Sequence, residues 1–481
     1  MIDEPAYAHA RWSISALDLS TGETLIDIDG EKMAEPASFT KTYTMGAAWL
    51  RWGPDHVVET PVKAQGDVID GVLDGDLVLV GMGDLTLGGR TGADGTVDFE
   101  NFDHNDANAI PGATLTAEDP LAGLNDLAAQ VKASGIDRVT GDIVVDDRLF
   151  HGELEGQPIS PIIVNQNLID VLVTPGGAGE PARVEMRPEV APWQVTSTVQ
   201  TVAAGEKTSS GVSNPRIVSN GEISIDGSIA AGSVPVLKVV AFDDPATFAR
   251  TAFIEALDRA GVATSAPPTR INATSGLAAP DAVAALPTVA ALESLPLAEQ
   301  ATYVLKVSYN RGAQTTVCLF AVEAGSDDCA DGLAEMGRTL ADAGLDTTGI
   351  SLIDGSGLAG NLVTAENSVE LQRIMFARPD AEAWMRTLPV LGVDGSLAEV
   401  QVGSPAAGLV HAKTGTLVGG DQLNGRFRLE TKALGGAMRT ASGRDVAFMI
   451  MLNNGFTADI DGVLQANDDV GAVAAAIQQA Y

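Results

Sequence analysis

The sequence predicts a multi-domain α/β protein in which both chain ends contribute to one helix-flanked sheet and the middle of the chain is a β-rich insertion. Three observations predict it. A chain of 481 residues is too long for one ordinary core. Each end carries β-like runs next to a helical stretch. The central region is dominated by short β-like runs broken by Pro and Gly.

Trp12 to Leu19 and Thr24 to Ile28 alternate as strands around the turn Ser20-Thr21-Gly22-Glu23, so they form a hairpin. Pro36 and Ser38 then open a helix running from Phe39 to about Trp52. Within the insertion, Asp76 to Val80 leads into a glycine-rich turn. Leu121 to Gly135 is an amphipathic helix, Val139 to Val145 is β-like, and a β-like series covers Val184 to Val240 with breaks at 174–181 and 227–235. At the far end, Leu409 to Leu417 is β-like, and Gly435 to Thr440 and Asp445 to Asn453 form a hairpin around Ala441-Ser442-Gly443-Arg444. A helix from about Val470 to Tyr481 closes the chain. These elements divide the chain into 1–62 with 288–481, and an insertion at 63–287.

Composition narrows the function. Hydrophobic residues make up 45% and charged residues 19%, which describes a folded chain. A formal charge of −35 excludes nucleic acid as a partner, because phosphate binding needs clustered Lys and Arg. No run approaches the roughly 18–20 apolar residues that span a bilayer. Five scattered histidines lack paired-ligand spacing, so no metal site is expected. The acidic loop Asp98 to Asp106 lacks the spacing of a calcium loop and reads as a solvated turn. Cys318 and Cys329 lie eleven residues apart, and the sequence leaves a local disulfide and two buried thiols equally open.

Only nine lysines occur, at 32, 41, 63, 132, 207, 238, 306, 413 and 432, so a lysine inside a motif is informative. Three motifs occur in order: Ser38-Phe39-Thr40-Lys41, Ser308-Tyr309-Asn310 and Lys413-Thr414-Gly415. Positions i and i+3 at a helix start share a face, so Lys41 reaches Ser38. A serine hydroxyl is a poor nucleophile until a neighbour takes its proton, and a lysine kept neutral by burial or by a second cation, here Lys413, can do so. Ser308 and Asn310, one residue apart, point the same way if that segment is extended. Ser308 then relays a proton to a leaving amine, while Asn310 holds a substrate amide or orients Lys41. On a late strand, Lys413, Thr414 and Thr416 bind a carboxylate, and Gly415 leaves room for a backbone to approach. The N–H groups of Ser38 and Thr416 form an oxyanion hole.

Each motif alone is weak. An SxxK tetrapeptide is usually a surface helix, an SxN a turn and a KTG a solvated turn. The ordered triple is the signature shared by penicillin-binding proteins and class A β-lactamases.

Longer stretches resemble the penicillin-binding protein 4 family of D-alanyl-D-alanine carboxypeptidases and endopeptidases. They are PASFTK, DGDLVLVGMGDLTLGG (74–89, with Leu85 where that family has proline), VTGDIVVDDRLF (139–150), VNQNLIDVLVTPGG (164–177), DGSGL (354–358) and LVHAKTGTL (409–417). Tyr309 stands where the family most often has aspartate. The resemblance implies a discontinuous β-lactamase/transpeptidase-like domain, an antiparallel sheet with helices on both sides, plus two smaller β-rich inserted domains. About 270 residues separate the first two motifs, which sets the chain apart from class A β-lactamases.

The resemblance further implies a serine DD-peptidase that needs no cofactor, acts on peptidoglycan stem peptides ending in D-Ala-D-Ala through a Ser38 acyl-enzyme and is trapped by β-lactam antibiotics. Asp146, Asp147 and Leu417 are expected to contact the stem peptide, and Asp354 and Ser356 to wall the cleft. An extracytoplasmic location follows, with Met-Ile-Asp-Glu-Pro read as a mature start after removal of an export signal. Two alternatives remain at this level. One is a β-lactamase or esterase on the same fold; the other is a catalytically silent penicillin-binding sensor or cell-wall scaffold.

Overall fold

A computed structural model describes residues 4–109, 111–206, 211–219 and 221–481; the Met-Ile-Asp start and Lys207 lie outside these. The chain divides into two compact units, one formed by the residues up to His56 with Pro296–Tyr481, the other by Val57–Leu295.

In the first unit, strands β1 (Arg11–Asp18) and β2 (Thr24–Ile28) pair antiparallel as the expected hairpin. Helix α1 (Thr40–Trp52) follows a 3-10 turn at Ala37–Phe39. Five helices come next: α2 (Leu297–Lys306), α3 (Asn310–Glu323), α4 (Gly332–Asp342), α5 (Ala365–Phe376) and α6 (Ala381–Thr387). Strands β3 (Val410–Asp421), β4 (Arg426–Arg439) and β5 (Asp445–Thr457) precede helix α7 (Ile460–Ala480). The strands form one antiparallel sheet in the order β2-β1-β5-β4-β3. Both chain ends therefore share it, since β1 from the N-terminus lies against β5 from the C-terminus.

Period-two alternation decides what each face meets. Trp12, Ile14, Ala16, Val410, Ala412, Leu434, Phe448 and Ile450 pack with Val463, Val470 and Ala474 of α7. Helix α5 lies against β1, β4 and β5, and α1 reaches this unit's buried interior through Tyr43 and Trp49. Because both faces are covered, β5 is buried almost continuously from Val446 to Asn453 and reads as an unbroken apolar run. The closing helix starts ten residues earlier than expected, at Ile460, because Asp459 caps it by accepting from the Gly462 N–H.

The second unit contains a six-stranded sheet built on Glu59–Ile69 and Val72–Val80, with helices Ala122–Ala133 and Pro245–Arg259. Three smaller sheets occupy 168–241. One buried cluster from Val62 to Ala290 runs through these parts. The expected joins were 62/63 and 287/288. By contact they fall at 56/57 and 295/296, because Glu59–Ile69 pairs with Thr288–Glu293 and takes both flanks into the insertion. The acidic loop is not a solvated turn throughout. Asp103 is buried, its carboxylate held by both terminal nitrogens of Arg90, and the neighbouring His104 bonds Asp170 at 2.6 Å.

Cys318 and Cys329 form a disulfide that joins the middle of α3 to the turn before α4.

Candidate active site

Ser38 sits in the 3-10 turn that delivers the chain into α1, and Lys41 lies in the first turn of that helix. The turn is reached through Ala37, a non-glycine residue at φ 50. Such a conformation costs on the order of 1–3 kcal/mol and persists only where the surroundings impose it. Here the surroundings are backbone. A Cβ on Gly357 would lie 1.9 Å from the Ala37 carbonyl, and one on Gly415 would lie 2.2 Å from the Pro36 carbonyl. Gly415 therefore leaves room for a backbone to approach, as the sequence suggested, and the backbone it admits is the chain's own, at Pro36. The Ser38 turn is clamped between the DGSG loop and β3.

Lys41 is fully buried, and its Nζ contacts three oxygens: Ser38 Oγ at 2.9 Å, Asn310 Oδ1 at 2.7 Å and the Ser356 carbonyl at 2.7 Å. The last two are acceptors only, so they claim two N–H bonds of the amine. A neutral amine then has a lone pair left for the Ser38 hydroxyl, which is the geometry of a general base.

Lys413 is equally buried and donates to Ser308 Oγ at 3.0 Å and to the Thr414 carbonyl at 3.0 Å. Thr414 Oγ1 lies 2.7 Å from Ser396 Oγ. The result is two lysine–hydroxyl pairs, Lys41 with Ser38 and Lys413 with Ser308, bridged by the short Ser308-Tyr309-Asn310 segment. That segment is not extended as expected. Ser308 adopts φ 61 and Asn310 is the first residue of α3, so a left-handed step aims the two side chains at different lysines. Tyr309 is buried, its ring 5.5 Å from that of Tyr303, which makes it packing and not chemistry.

The edge position of β3 fixes what Thr416 offers. The Ala412 N–H donates away from the sheet to the Pro389 carbonyl. By period two, the N–H groups of Thr414 and Thr416 point to that same outer edge. Thr416 is exposed and Leu417 is half-buried, at the point where the β3–β4 register shifts. Asp146 and Asp147 belong to the second unit. The Asp146 carboxylate is held in two bonds by Arg148, and burial pushes the Asp147 carboxyl above its ordinary range.

Asp354 and Ser356 were expected to wall the cleft, but how they act, and the parts played by Lys306 and Lys432, escaped sequence reasoning. Ser356 acts through its carbonyl, which no side-chain pattern reveals. Asp354 holds that loop by accepting from the N–H groups of Ser356 and Gly357 and from Asn361 Nδ2. Lys306 is buried and paired with Asp394 at 2.6 Å, two residues before Ser396. Lys432, opposite Thr416 on β4, donates to Thr416 Oγ1 at 3.0 Å. Its rarity as a lysine was the one available signal, but it belongs to no motif. Among the described residues no group of His, Cys, Asp and Glu is arranged to hold a metal.

Fold and site together define a serine hydrolase of SxxK type. A family model for the D-Ala-D-Ala carboxypeptidase 3 (S13) family matches residues 1–475. Among relatives, the D-alanyl-D-alanine carboxypeptidase of Actinomadura sp. (strain R39) is 32% identical over 458 residues, 88% of this chain and 76% of that protein. The penicillin-sensitive carboxypeptidase A of Dictyostelium discoideum is 24% identical over 420 residues, 81% of this chain and 73% of that protein. A crystal structure of penicillin binding protein 4 (dacB) from Haemophilus influenzae superposes with a TM-score of 0.69 at 20% identity, over 96% of this chain and 95% of that one. The chain belongs to the S13 family of D-Ala-D-Ala carboxypeptidases. It is a serine-type carboxypeptidase with the multi-domain fold that the resemblance implied.

Proposed function

We propose that this protein hydrolyses peptidoglycan stem peptides ending in D-Ala-D-Ala through an acyl-enzyme on Ser38. The observation that carries the reading is the environment of Lys41, two fixed acceptors and one serine hydroxyl around a buried amine. Ser38 Oγ attacks the carbonyl of the penultimate D-alanine as its proton passes to Lys41. The developing oxyanion meets the N–H groups of Ser38 and Thr416; one such donor is typically worth about 10²–10³ in rate. Lys413 donates to Ser308 Oγ, which leaves the Ser308 proton free to pass to the departing amine nitrogen. D-alanine leaves, the proton held on Lys41 returns to Ser308, and the neutral Lys41 amine then takes a proton from the water that hydrolyses the ester and passes it back to Ser38 Oγ. Lys413, Thr414 and Thr416 bind the free carboxylate of the terminal D-alanine. A D-alanyl cross-link between stems is open to the same steps, and a β-lactam stalls them at the acyl stage.

Stem-peptide contacts by Asp146, Asp147 and Leu417 rest on the family resemblance and not on this geometry. The Cys318–Cys329 disulfide supports an oxidising, extracytoplasmic compartment. No described helix is long and apolar enough to cross a membrane.

Intact mass after exposure to a fluorescent penicillin, with D-alanine release from diacetyl-Lys-D-Ala-D-Ala, tests the proposal. The wild type should carry one persistent adduct and release D-alanine, and Ser38→Ala should do neither. A labelled alanine variant overturns the nucleophile. Rapid nitrocefin turnover with no D-alanine release overturns the peptidase reading in favour of a β-lactamase, and stable labelling without release favours a silent sensor.

A further inference from the structure

Lys432 is a third buried lysine beside the site, 2% exposed, on β4 and directly opposite Thr416 of β3. It lies on the α7 side of the sheet, the face shared with Leu434, whereas Lys413 points to the other face. Its Nζ donates to Thr416 Oγ1 at 3.0 Å and to Asn467 Oδ1 of α7 at 2.7 Å. Nothing in the acyl-transfer steps above uses it, and a buried amine without an anionic partner needs an explanation.

An ammonium has three N–H donors and no acceptor. When Lys432 is protonated, Thr416 Oγ1 can only accept from it, so the Thr416 hydroxyl proton must point elsewhere. Thr416 is exposed at the outer edge of β3, so that proton is offered outward. When Lys432 is neutral, its lone pair can take the same proton and turn it inward. We propose that Lys432 is a positioning residue that sets substrate specificity: its ammonium turns the Thr416 hydroxyl outward as a donor to the free carboxylate of the terminal residue and places a buried positive charge behind it. The inference rests on the reading of Thr416 as a carboxylate contact.

The electrostatics agree. Burial alone pushes the Lys432 amine down to about 7. The charged groups on the elements packed around it are engaged elsewhere. Glu430, on its own strand, pairs with Arg428. On α7, Asp468 accepts from the Gln401 N–H and Asp469 from the Tyr7 phenol. Its partner on β5 is Leu452, and on β3 it faces Thr416. A bound carboxylate is the one counter-charge this arrangement awaits, and its arrival favours the protonated form.

The sign of the pH dependence follows. Below about 7 the amine is charged and the carboxylate is held; as pH rises through that value the donor is withdrawn. The experiment compares diacetyl-Lys-D-Ala-D-Ala with its C-terminal carboxamide on the intact protein between about pH 5.5 and 9. In the wild type, KM for the carboxylate peptide should rise roughly tenfold per pH unit above 7 until it levels off, while KM for the carboxamide follows no such step. Lys432→Met should raise KM for the carboxylate peptide at pH 6 by on the order of tenfold, abolish the step and leave the carboxamide unchanged; Lys432→Arg should restore low KM at all pH values.

Equal pH dependence for both substrates, or an equal loss on both in Lys432→Met, overturns the proposal in favour of a structural lysine. The wild-type comparison needs no substitution, so it decides the matter even if Lys432→Met does not fold. A wild type that neither releases D-alanine nor takes up penicillin defeats the functional reading itself, a result distinct from an active enzyme indifferent to Lys432.

Discussion

Lys41, Lys413 and Lys432 are all buried, and each meets a hydroxyl: Ser38, Ser308 and Thr416 respectively. The first two were legible because they stand at fixed offsets inside motifs. The third was not, since its meaning comes from the strand beside it. Glycines show the same division. Gly357 is an unremarkable letter of DGSGL, yet its φ of +98 and its contact with the Ala37 carbonyl make it a wall of the Ser38 turn. Gly357→Ala should therefore move Ser38 away from Lys41. The expected result is a loss of acylation rate on the order of 10²-fold at saturating penicillin, with cooperative thermal unfolding retained. An acylation rate equal to wild type would show that the clamp does not set the nucleophile.

At the level of elements, the register of β3 against β4 and the start of α3 do most of the positioning. Twelve consecutive positions from Val410 to Asp421 find partners on β4, with one shift after Leu417. That ladder places Lys413 toward Ser308 and Thr416 toward Lys432. The strand itself was readable, but β4 was expected only from Gly435; its first half, Arg426 to Lys432, alternates charged and apolar residues and lacks an apolar run. Helix α3 carries Asn310 at one end and Cys318 in its middle, and the disulfide to Cys329 ties it to α4. Cutting that tie with Cys318→Ala/Cys329→Ala should cost roughly 2–3 kcal/mol, by the loop-closure argument for a short loop. Thermal unfolding with and without the bridge measures it. D-alanine release at 25 °C should be unchanged, because Asn310 is two turns away; a parallel loss of kcat would mean that the bridge shapes the site.

Across the whole molecule, 64 acidic against 29 basic side chains give the charge of −35. The exposed ion pairs are each worth little, so self-repulsion outweighs them. Raising sodium chloride from about 0.02 M to about 0.5 M should increase Tm by several degrees as the repulsion is screened. A falling Tm would show that the ion pairs dominate. The discontinuous layout follows from a local closure: the His56 carbonyl accepts from the Leu297 N–H at 2.8 Å, so the chain leaves the first unit and returns to it at one point. An insertion of more than two hundred residues thus costs that unit little in chain entropy, because closure entropy grows only logarithmically with length.

By itself the sequence determined the motif-bearing residues, the sharing of one sheet by both chain ends and the chemistry to be expected of Ser38, Lys41, Ser308, Asn310 and Lys413. Those follow from residue type, spacing and periodicity, which are local. Only the tertiary structure decided that the Ser356 carbonyl completes the surroundings of Lys41, that Gly415 and Gly357 clamp the Ser38 turn, that Ser308 is left-handed, and that Lys432 stands behind Thr416. Each of these is a backbone approach or a cross-strand contact between residues distant in sequence, and one-dimensional spacing carries no record of such pairings.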